Sequence, residues 1–407
     1  MKLLSDQYDA VIVGGGPAGA SAAIHLAMRG ARVFLAEQKK FPREKLCGEF
    51  ISPECLEHFA CLGVADEIES ADGAPLSETI FYARNGSSVN IPSNWFGRAN
   101  ASALGLSRAE MDTRLLARAR DVGVEVYEEA CATDLLFEGE RVDGVQFKTS
   151  DGDTFSTRAL VTIDATGRTR SLARRVEKRI GDKSTNKKSR PRLVAFKTHL
   201  AGAEGSPGQC EIYVYRGGYG GLNSIENGLS NLCFIASARD VRACNGDAER
   251  VVREVVETNQ RAALTLAHAK NVSPWIAVAL DGFGRRRLDP AVGLITIGDA
   301  ASFIDPFTGS GMLMALESGE LAAAAVMRHL SGLRQREAFQ TLADHYRKIY
   351  NRRFASRLRV CAGLRRAAFI PKLAEAMIFA ISASDVLRRK LARATRASRM
   401  DAGSTAS

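Results

Sequence analysis

Asp9 to Val13 is an apolar run closed by glycine, and after the glycines the apolar period changes. From Ala18 to Arg29 the residues Ala20, Ala23, Ile24, Ala27 and Met28 recur at helical spacing, Gly30 ends the pattern, and Arg32 to Ala36 is again short and apolar before Glu37. Such runs predict buried strands, and the spacing between them predicts a helix. A second buried strand is expected at Gly293 to Asp299, followed by a helix from near Ser310 to about Met327 that is rich in Ala, Leu and Gly. Between these units, Leu193 to Leu200 and Glu211 to Tyr215 alternate in the manner of strands in an antiparallel sheet, with glycine-rich turns.

The turn after the first strand reads Gly14-Gly15-Gly16-Pro17-Ala18-Gly19. In a strand, turn, helix, strand unit these glycines have separate tasks. Gly14 makes the tight turn, Gly16 lets backbone N–H groups approach a pyrophosphate, and Gly19 lets helix and strand pack closely. The helix start at Pro17 and Ala18 offers its partial positive charge to the phosphates. Glu37, 23 residues after Gly14, stands where a carboxylate accepts hydrogen bonds from ribose hydroxyls. This loop alone suits NAD or FAD. About 280 residues later, Gly298-Asp299-Ala300 runs into Asp305-Pro306-Phe307-Thr308-Gly309-Ser310-Gly311-Met312. Asp299 at a strand end suits a ribityl hydroxyl, and the helix start at Gly309 to Met312 points N–H groups at an electron-rich ring edge. Together the two loops describe one flavin held at both ends.

At these residues the chain resembles the FAD-dependent oxidoreductase superfamily of aromatic hydroxylases, flavin halogenases and geranylgeranyl reductases, over roughly Tyr8 to Met327. The resemblance implies FAD as cofactor. It places Arg108, in Leu106-Ser-Arg-Ala-Glu-Met-Asp112, over the cofactor, Asp164 and Gly167 at the turn returning to the adenosine side, and Ala132 at the adenine. Phe41-Pro-Arg-Glu-Lys45-Leu-Cys47-Gly48-Glu49 is similar to the P-x-x-K-x-C-G element of the geranylgeranyl reductase branch. That element implies Cys47 near the flavin with Lys45 and Gly48 beside it, with Cys47 as a proton donor or polar positioner, or as a small residue packed against the ring. Ala301-Ser302 and Asp305-Pro306 depart from the hydroxylase pattern, and neither Trp95 nor Trp275 lies in a halogenase W-x-W-x-I-P segment. Gly217 to Ser224 falls where prenyl reductases carry Y-x-W-x-F-P: Tyr219 matches and is expected on the substrate side, but Gly221, Asn223 and Ser224 replace Trp, Phe and Pro. This predicts a pocket with less aromatic wall.

Composition adds a charge asymmetry. The net charge of +10 is concentrated between Arg347 and Arg399, where 15 Lys or Arg face only Glu375 and Asp385. The apolar stretches inside it, Ala367 to Pro371 and Ala376 to Ser382, are too short to span a bilayer. The segment reads either as a basic amphipathic helix on an anionic membrane or as a helical cap on the body. Nucleic acid is not an expected partner, because no recognition module or interleaved aromatics accompany the charge. Eight cysteines without C-x-x-C spacing, several in apolar segments (Cys131, Cys233), fit reduced core thiols. With Met1 to Gln7 leading straight into the first strand, a cytoplasmic protein is expected, attached at the membrane's inner face if the basic segment binds lipid.

The expected architecture is α/β (α+β overall). A discontinuous Rossmann-like FAD-binding domain (1–75, 100–175 and 280–330) carries an inserted β-rich substrate domain (76–99 and 176–280) and a basic helical C-terminal segment (331–400). Lys183 to Arg192 reads as a basic lid loop. With no second dinucleotide fingerprint, NAD(P)H is expected to visit the flavin transiently. The favoured reaction is hydride transfer from reduced flavin to a carbon–carbon double bond of an apolar isoprenoid, lipid or polyketide. The alternatives are a monooxygenase acting on a polyketide, phenol or lipid, and a flavin-binding protein that docks to membranes without turnover.

Overall fold

Strand Thr154–Asp164 belongs to two kinds of pairing at once. Its first half runs antiparallel to Arg141–Thr149, which pairs with Ala130–Glu138; its second half runs parallel to Tyr8–Val13, with Ile163 beside Ile12. Leu294–Thr296 flanks that second half, and Val33–Ala36 and Glu125–Tyr127 extend the parallel region beyond Tyr8–Val13. All six residues of Tyr8–Val13 are buried, as befits a strand covered on both faces. The computed structural model describes residues 2–3, 7–96, 101–181, 192–280, 282–305, 307 and 309–395. Most of the expected lid, 183–191, lies outside the described residues.

Helix Pro17–Ala27 packs on helix Gly311–Arg334, which continues beyond the expected end at Met327. A Cβ on Gly319 would stand 2.5 Å from the Ala18 carbonyl oxygen, so the two backbones nearly touch, and Ser21 Oγ donates to the Leu316 carbonyl at 2.9 Å. This contact sets the two glycine loops side by side although they are far apart in the chain.

The second sheet has the order Lys270–Asn271, Leu193–Ala201, Ser230–Ser237, Gly218–Ser224, Gln209–Tyr215, Glu78–Tyr82, Ser88–Pro92, with Ile276–Leu280 also on Leu193–Ala201. Gln209–Tyr215 and Glu78–Tyr82 are parallel; the other pairs are antiparallel. Every one of these strands comes from 76–99 or 176–280. One face buries Phe196, Phe234, Tyr213 and Tyr215 with Val241, Val251 and Leu266 of the covering helices. The other face looks toward the ends of the parallel strands.

The basic C-terminal region forms helices Phe339–Ala368, Pro371–Ser382 and Asp385–Ala394. Leu342, Tyr346, Tyr350, Phe354 and Cys361 join the main core. Arg357, 2% exposed, donates to Glu317 at 2.9 Å, and Arg353 does so at 2.6 Å. Ile378 and Ile381 then pack on Ala83 and Val89 of the second sheet. Much of the tail is therefore a cap on the body. None of the described helices is long and apolar enough to cross a membrane.

Candidate active site

A cavity of about 590 Å³ lies between the glycine loops, the open face of the second sheet and the C-terminal helices. At its first end Gly14 adopts φ +110°, and a Cβ there would meet the Ala165 carbonyl oxygen at 2.3 Å; only glycine fits. Glu37 is buried at the tip of strand Val33–Ala36, accepting from Gly15 N at 2.9 Å and Lys39 N at 3.1 Å. Two arginines converge on this loop through one carboxylate. Arg108 Nε donates to Asp112 Oδ1 at 2.9 Å and its Nη2 to Oδ2 at 2.6 Å, while Arg43 Nη1 reaches Oδ2 at 3.0 Å. Helix Arg108–Asp121 aligns the pair because Asp112 is one turn beyond Arg108. Burial disfavours the Arg108 cation, but Asp112 and then Cys47 outweigh it, and its pKa is raised. Lys45 moves the other way: burial and the neighbouring Arg43 and Arg108 push its ammonium down. Arg43, Lys45 and Arg108 thus line the cavity beside Gly16, with Asp112 and Glu37 offsetting part of their charge.

The second loop closes the floor. Gly298–Ala300 forms a single 3-10 turn, and Asp299 lines the cavity with its pKa raised by burial, partly offset by Arg168, Arg108 and Lys45. Gly309, Gly311 and Met312 line the cavity at the start of helix Gly311–Arg334. Tyr219 comes down from the second sheet to meet this loop, its hydroxyl donating to Asp305 Oδ1 at 2.5 Å. Burial, and then the Asp305 charge, hold the Tyr219 phenol well above its ordinary pKa, so it stays protonated.

Cross-strand register sorts the ceiling into rows. Ala195, Ile235, Tyr219 and Val214 form one; Lys197, Cys233, Gly221, Ile212 and Phe81 the next; His199, Asn231, Asn223, Cys210 and Thr79 the third. The Cys47 loop meets the second and third rows. Glu49 N donates to Cys47 Sγ at 3.4 Å, and Glu49 Oε1 accepts from Arg108 N at 2.8 Å and Lys197 Nζ at 2.6 Å. Glu49 Oε2 lies 2.7 Å from His199 Nε2. Burial alone would raise the Glu49 pKa, but the His199 hydrogen bond and the Lys197 charge outweigh it and hold the carboxyl below its ordinary value. For Lys197 the sign is reversed: burial opposes the ammonium, while Glu49 and Glu44 raise its pKa. The far end of the cavity is apolar, with Val89, Ile91, Phe96, Met377, Ile378 and Leu391, and Arg388 at its edge.

A family model described as FAD binding domain matches residues 7–356. The chain belongs to this FAD-binding family. It is 28% identical over 333 residues to a digeranylgeranylglycerophospholipid reductase of Methanopyrus kandleri, covering 79% of this chain and 78% of the relative. In fold it is similar to a geranylgeranyl bacteriochlorophyll reductase-like protein from Thermoplasma acidophilum, with TM-score 0.76, 20% identity and coverage of 95% and 96%. It is equally similar to a flavin-dependent brominase, with TM-score 0.77, 20% identity and coverage of 96% and 95%. The protein is an FAD-dependent oxidoreductase with the Rossmann-like fold of that family.

The residues in place fit FAD. The glycine cradle at Gly14 and Gly16, the Pro17–Ala18 helix start and the Arg43–Arg108 pair suit its pyrophosphate, Glu37 its adenosine ribose, and Asp299 its ribityl chain. Of the residues singled out from sequence, Gly14, Gly16, Pro17, Ala18, Glu37, Lys45, Cys47, Gly48, Arg108, Ala132, Gly167, Tyr219, Asp299, Gly309, Gly311 and Met312 line the cavity. The Ala132 carbonyl accepts from Arg175 Nη2 at 3.4 Å. Three lie behind the lining. Gly19 is the packing contact itself, since a Cβ there would stand 1.9 Å from the Gly14 carbonyl oxygen. Ser310 is buried, its hydroxyl donating to the Thr395 carbonyl at 3.0 Å. Asp164 is fully buried at the turn, its carboxylate accepting from Thr166 N, Thr166 Oγ1 and Ala173 N, and it does not line the cavity. Pro306 lies outside the described residues. Among the cysteines, Cys131 is exposed and Cys233 half-buried, so neither is a core thiol.

Sequence reasoning passed over Arg43, Asp112, Glu49, Lys197 and His199. Lys197 had a signal, a charge on the same alternating face as Ala195 in an otherwise apolar strand. The cavity-lining C-terminal residues had none, because their placement depends on how the helices turn back.

Proposed function

We propose that this flavoprotein reduces a carbon–carbon double bond of an apolar substrate, with Cys47 supplying the proton. The observation that carries this reading is the position of Cys47 in the lining of one cavity, beside Arg108 and against the sheet row of Lys197, Cys233, Gly221, Ile212 and Phe81, whose far end is apolar. FAD, when bound and reduced, supplies a hydride to one alkene carbon. The chain supplies the rest. Arg43, Lys45 and Arg108 neutralise the phosphates, Asp299 and Gly309 to Met312 orient the ring, and Ile212, Phe81, Val89 and Ile378 hold an apolar chain out of water. The Cys47 thiol gives its proton to the neighbouring carbon and is reprotonated from solvent. Gly221, in the middle row, lines the cavity with Ile212 Cδ1 packed over it, 3.0 Å from where a Cβ would stand. NAD(P)H is the donor we assign for flavin reduction, approaching without a domain of its own. Val386 and Leu387, exposed on helix Asp385–Ala394 beside Arg389 and Lys390, support docking of this end to an anionic membrane from the cytoplasmic side.

The test is anaerobic: FAD-loaded protein, NADPH or NADH, and polyprenyl lipids or quinones, with saturation read by mass spectrometry. Gain of a hydrogen pair by substrate, lost or reduced by roughly 10²–10⁴-fold in C47A with FAD content unchanged, is expected for a proton donor. Unchanged turnover in C47A would remove the thiol from the mechanism.

A monooxygenase is the second reading, favoured by the apolar cover that Met377, Ile378, Ile381 and Leu391 of the C-terminal helices give part of the cavity, since oxygen chemistry needs water kept out. Rapid mixing of the reduced protein with oxygen, with and without substrate, separates the two. A discrete spectral intermediate followed by an oxygenated product supports the monooxygenase; direct return of the oxidised spectrum supports the reductase.

A further inference from the structure

Cys47 stands within a six-residue loop, Glu44 to Glu49, whose two terminal carboxylates meet on one ammonium. Lys197 Nζ lies 2.6 Å from Glu49 Oε1 and pairs on its other side with Glu44. The Lys197 and Glu49 side chains are 1% and 0% exposed, whereas that of Glu44 is 43% exposed. The same sheet face holds the loop backbone: Asn231 Nδ2 donates to the Cys47 carbonyl at 3.2 Å and Asn223 Nδ2 to the Glu49 carbonyl at 3.3 Å. Glu49 adopts φ +50°, a left-handed conformation uncommon for a residue with a Cβ.

A charge in this position is not required to close the sheet, because the partners of Lys197 along its row are Cys233, Gly221, Ile212 and Phe81. Burying an ammonium is unfavourable unless it is fully paired, so a lysine here needs a task that an apolar residue could not perform. Glu44, Glu49 and His199 have their ligand atoms within 4.8 Å of one another, a spacing that also suits a metal ion. The Lys197 ammonium already stands between the two carboxylates, so the cation of this cluster is the lysine.

We propose that Lys197 is a positioning residue: it staples both ends of the Glu44 to Glu49 loop to the second sheet and so keeps the Cys47 thiol beside Arg108 at the reacting end of the cavity. This rests on the reading of Cys47 as proton source. It adds that the loop crossing the flavin side is held in place by the substrate side. Loss of the ammonium frees two carboxylates that repel each other, and the loop opens.

The test follows alkylation of Cys47 by iodoacetamide in the full-length FAD-loaded protein, with exposed Cys61 and Cys131 changed to Ser and the modified peptide read by mass spectrometry. The limiting rate at high pH reports access to the thiol. It is expected to rise roughly tenfold in K197M, as the opening equilibrium of the loop shifts, and to return toward the parent value in K197R. E44Q removes only the exposed end of the staple, should fold normally, and is expected to show a smaller rise. In turnover, K197M lowers kcat with little change in KM. An unchanged or lower limiting rate in E44Q and in folded K197M overturns the staple. Full turnover in C47A would instead overturn the role of the thiol, and the alkylation rates would still decide whether Lys197 holds the loop.

Discussion

Tyr219 and Asp305 join the second sheet to the loop after Asp299 through a 2.5 Å hydrogen bond in which the phenol donates. Asp305 Oδ1 also accepts from Phe307 N at 3.0 Å, and the Tyr219 ring stands edge-on to Phe307 with centroids 5.0 Å apart. The tyrosine matched from sequence as a substrate-side residue thus fixes the loop after Asp299, and burial keeps both its phenol and the Asp305 carboxyl above their ordinary pKa values.

Y219F should lower stability by about 1–3 kcal/mol, the effect of leaving a buried acceptor short of one donor. Denaturant unfolding measures it. Because the phenol stays protonated, the pH profile of turnover should keep its shape in Y219F; a lost alkaline limb would mean that Tyr219 ionises during catalysis.

Arg108 tests the cofactor site. R108A removes one of the two cations that share Asp112, and FAD affinity should fall by roughly 10–100-fold, equivalent to about 1.5–3 kcal/mol for a charged hydrogen-bonding group. Flavin fluorescence on titration into apoprotein reads the Kd. Affinity equal to the parent's would place Arg108 outside the cofactor contacts.

The Glu49–Lys197 pair predicts a stability plateau with two edges. Glu49 has a depressed folded pKa, so its contribution is present above the unfolded carboxyl value, about 4.3, and is lost as pH falls through the folded one. Lys197 has a raised folded pKa, so its contribution is complete below about 10.4 and is lost as pH rises through the folded one. E49Q leaves a buried ammonium short of its partner, and a loss of roughly 3–5 kcal/mol is expected at neutral pH, with a shallower acid limb. Melting temperature against pH for parent and variant checks both; an acid limb of unchanged slope would exclude Glu49 as its source.

For the tail, co-sedimentation with vesicles of mixed neutral and anionic phospholipid is the measurement. The double variant R389E/K390E should weaken binding, each basic residue near an anionic surface contributing about 1 kcal/mol, and salt should weaken the parent likewise. Binding indifferent to salt and to both substitutions would leave the helices as a cap alone.

How much of this was legible in the chain follows from where each signal resides. Gly14, Gly16 and Glu37 belong to a local strand, turn and helix whose glycines are dictated by backbone sterics, so their place at the cavity could be read from spacing. Asp164 carries the same kind of strand-end signature, yet Thr166 and Ala173 take its carboxylate, a competition among close neighbours that pattern cannot resolve. Lys197 and Glu49 are 148 positions apart and meet only because a strand of the second sheet crosses over the Cys47 loop.

By itself, then, the sequence determined the secondary structure around the two loops, the cofactor class and the basic character of the tail, because turn sterics, apolar period and charge are properties of short stretches of chain. Tertiary structure alone decided that Asp112 serves two arginines, that one lysine closes the Cys47 loop, and that Ile378 and Ile381 cap the second sheet. Those relationships depend on which buried charges and apolar faces find partners across the fold. That balance is struck between distant segments, and no local pattern records it.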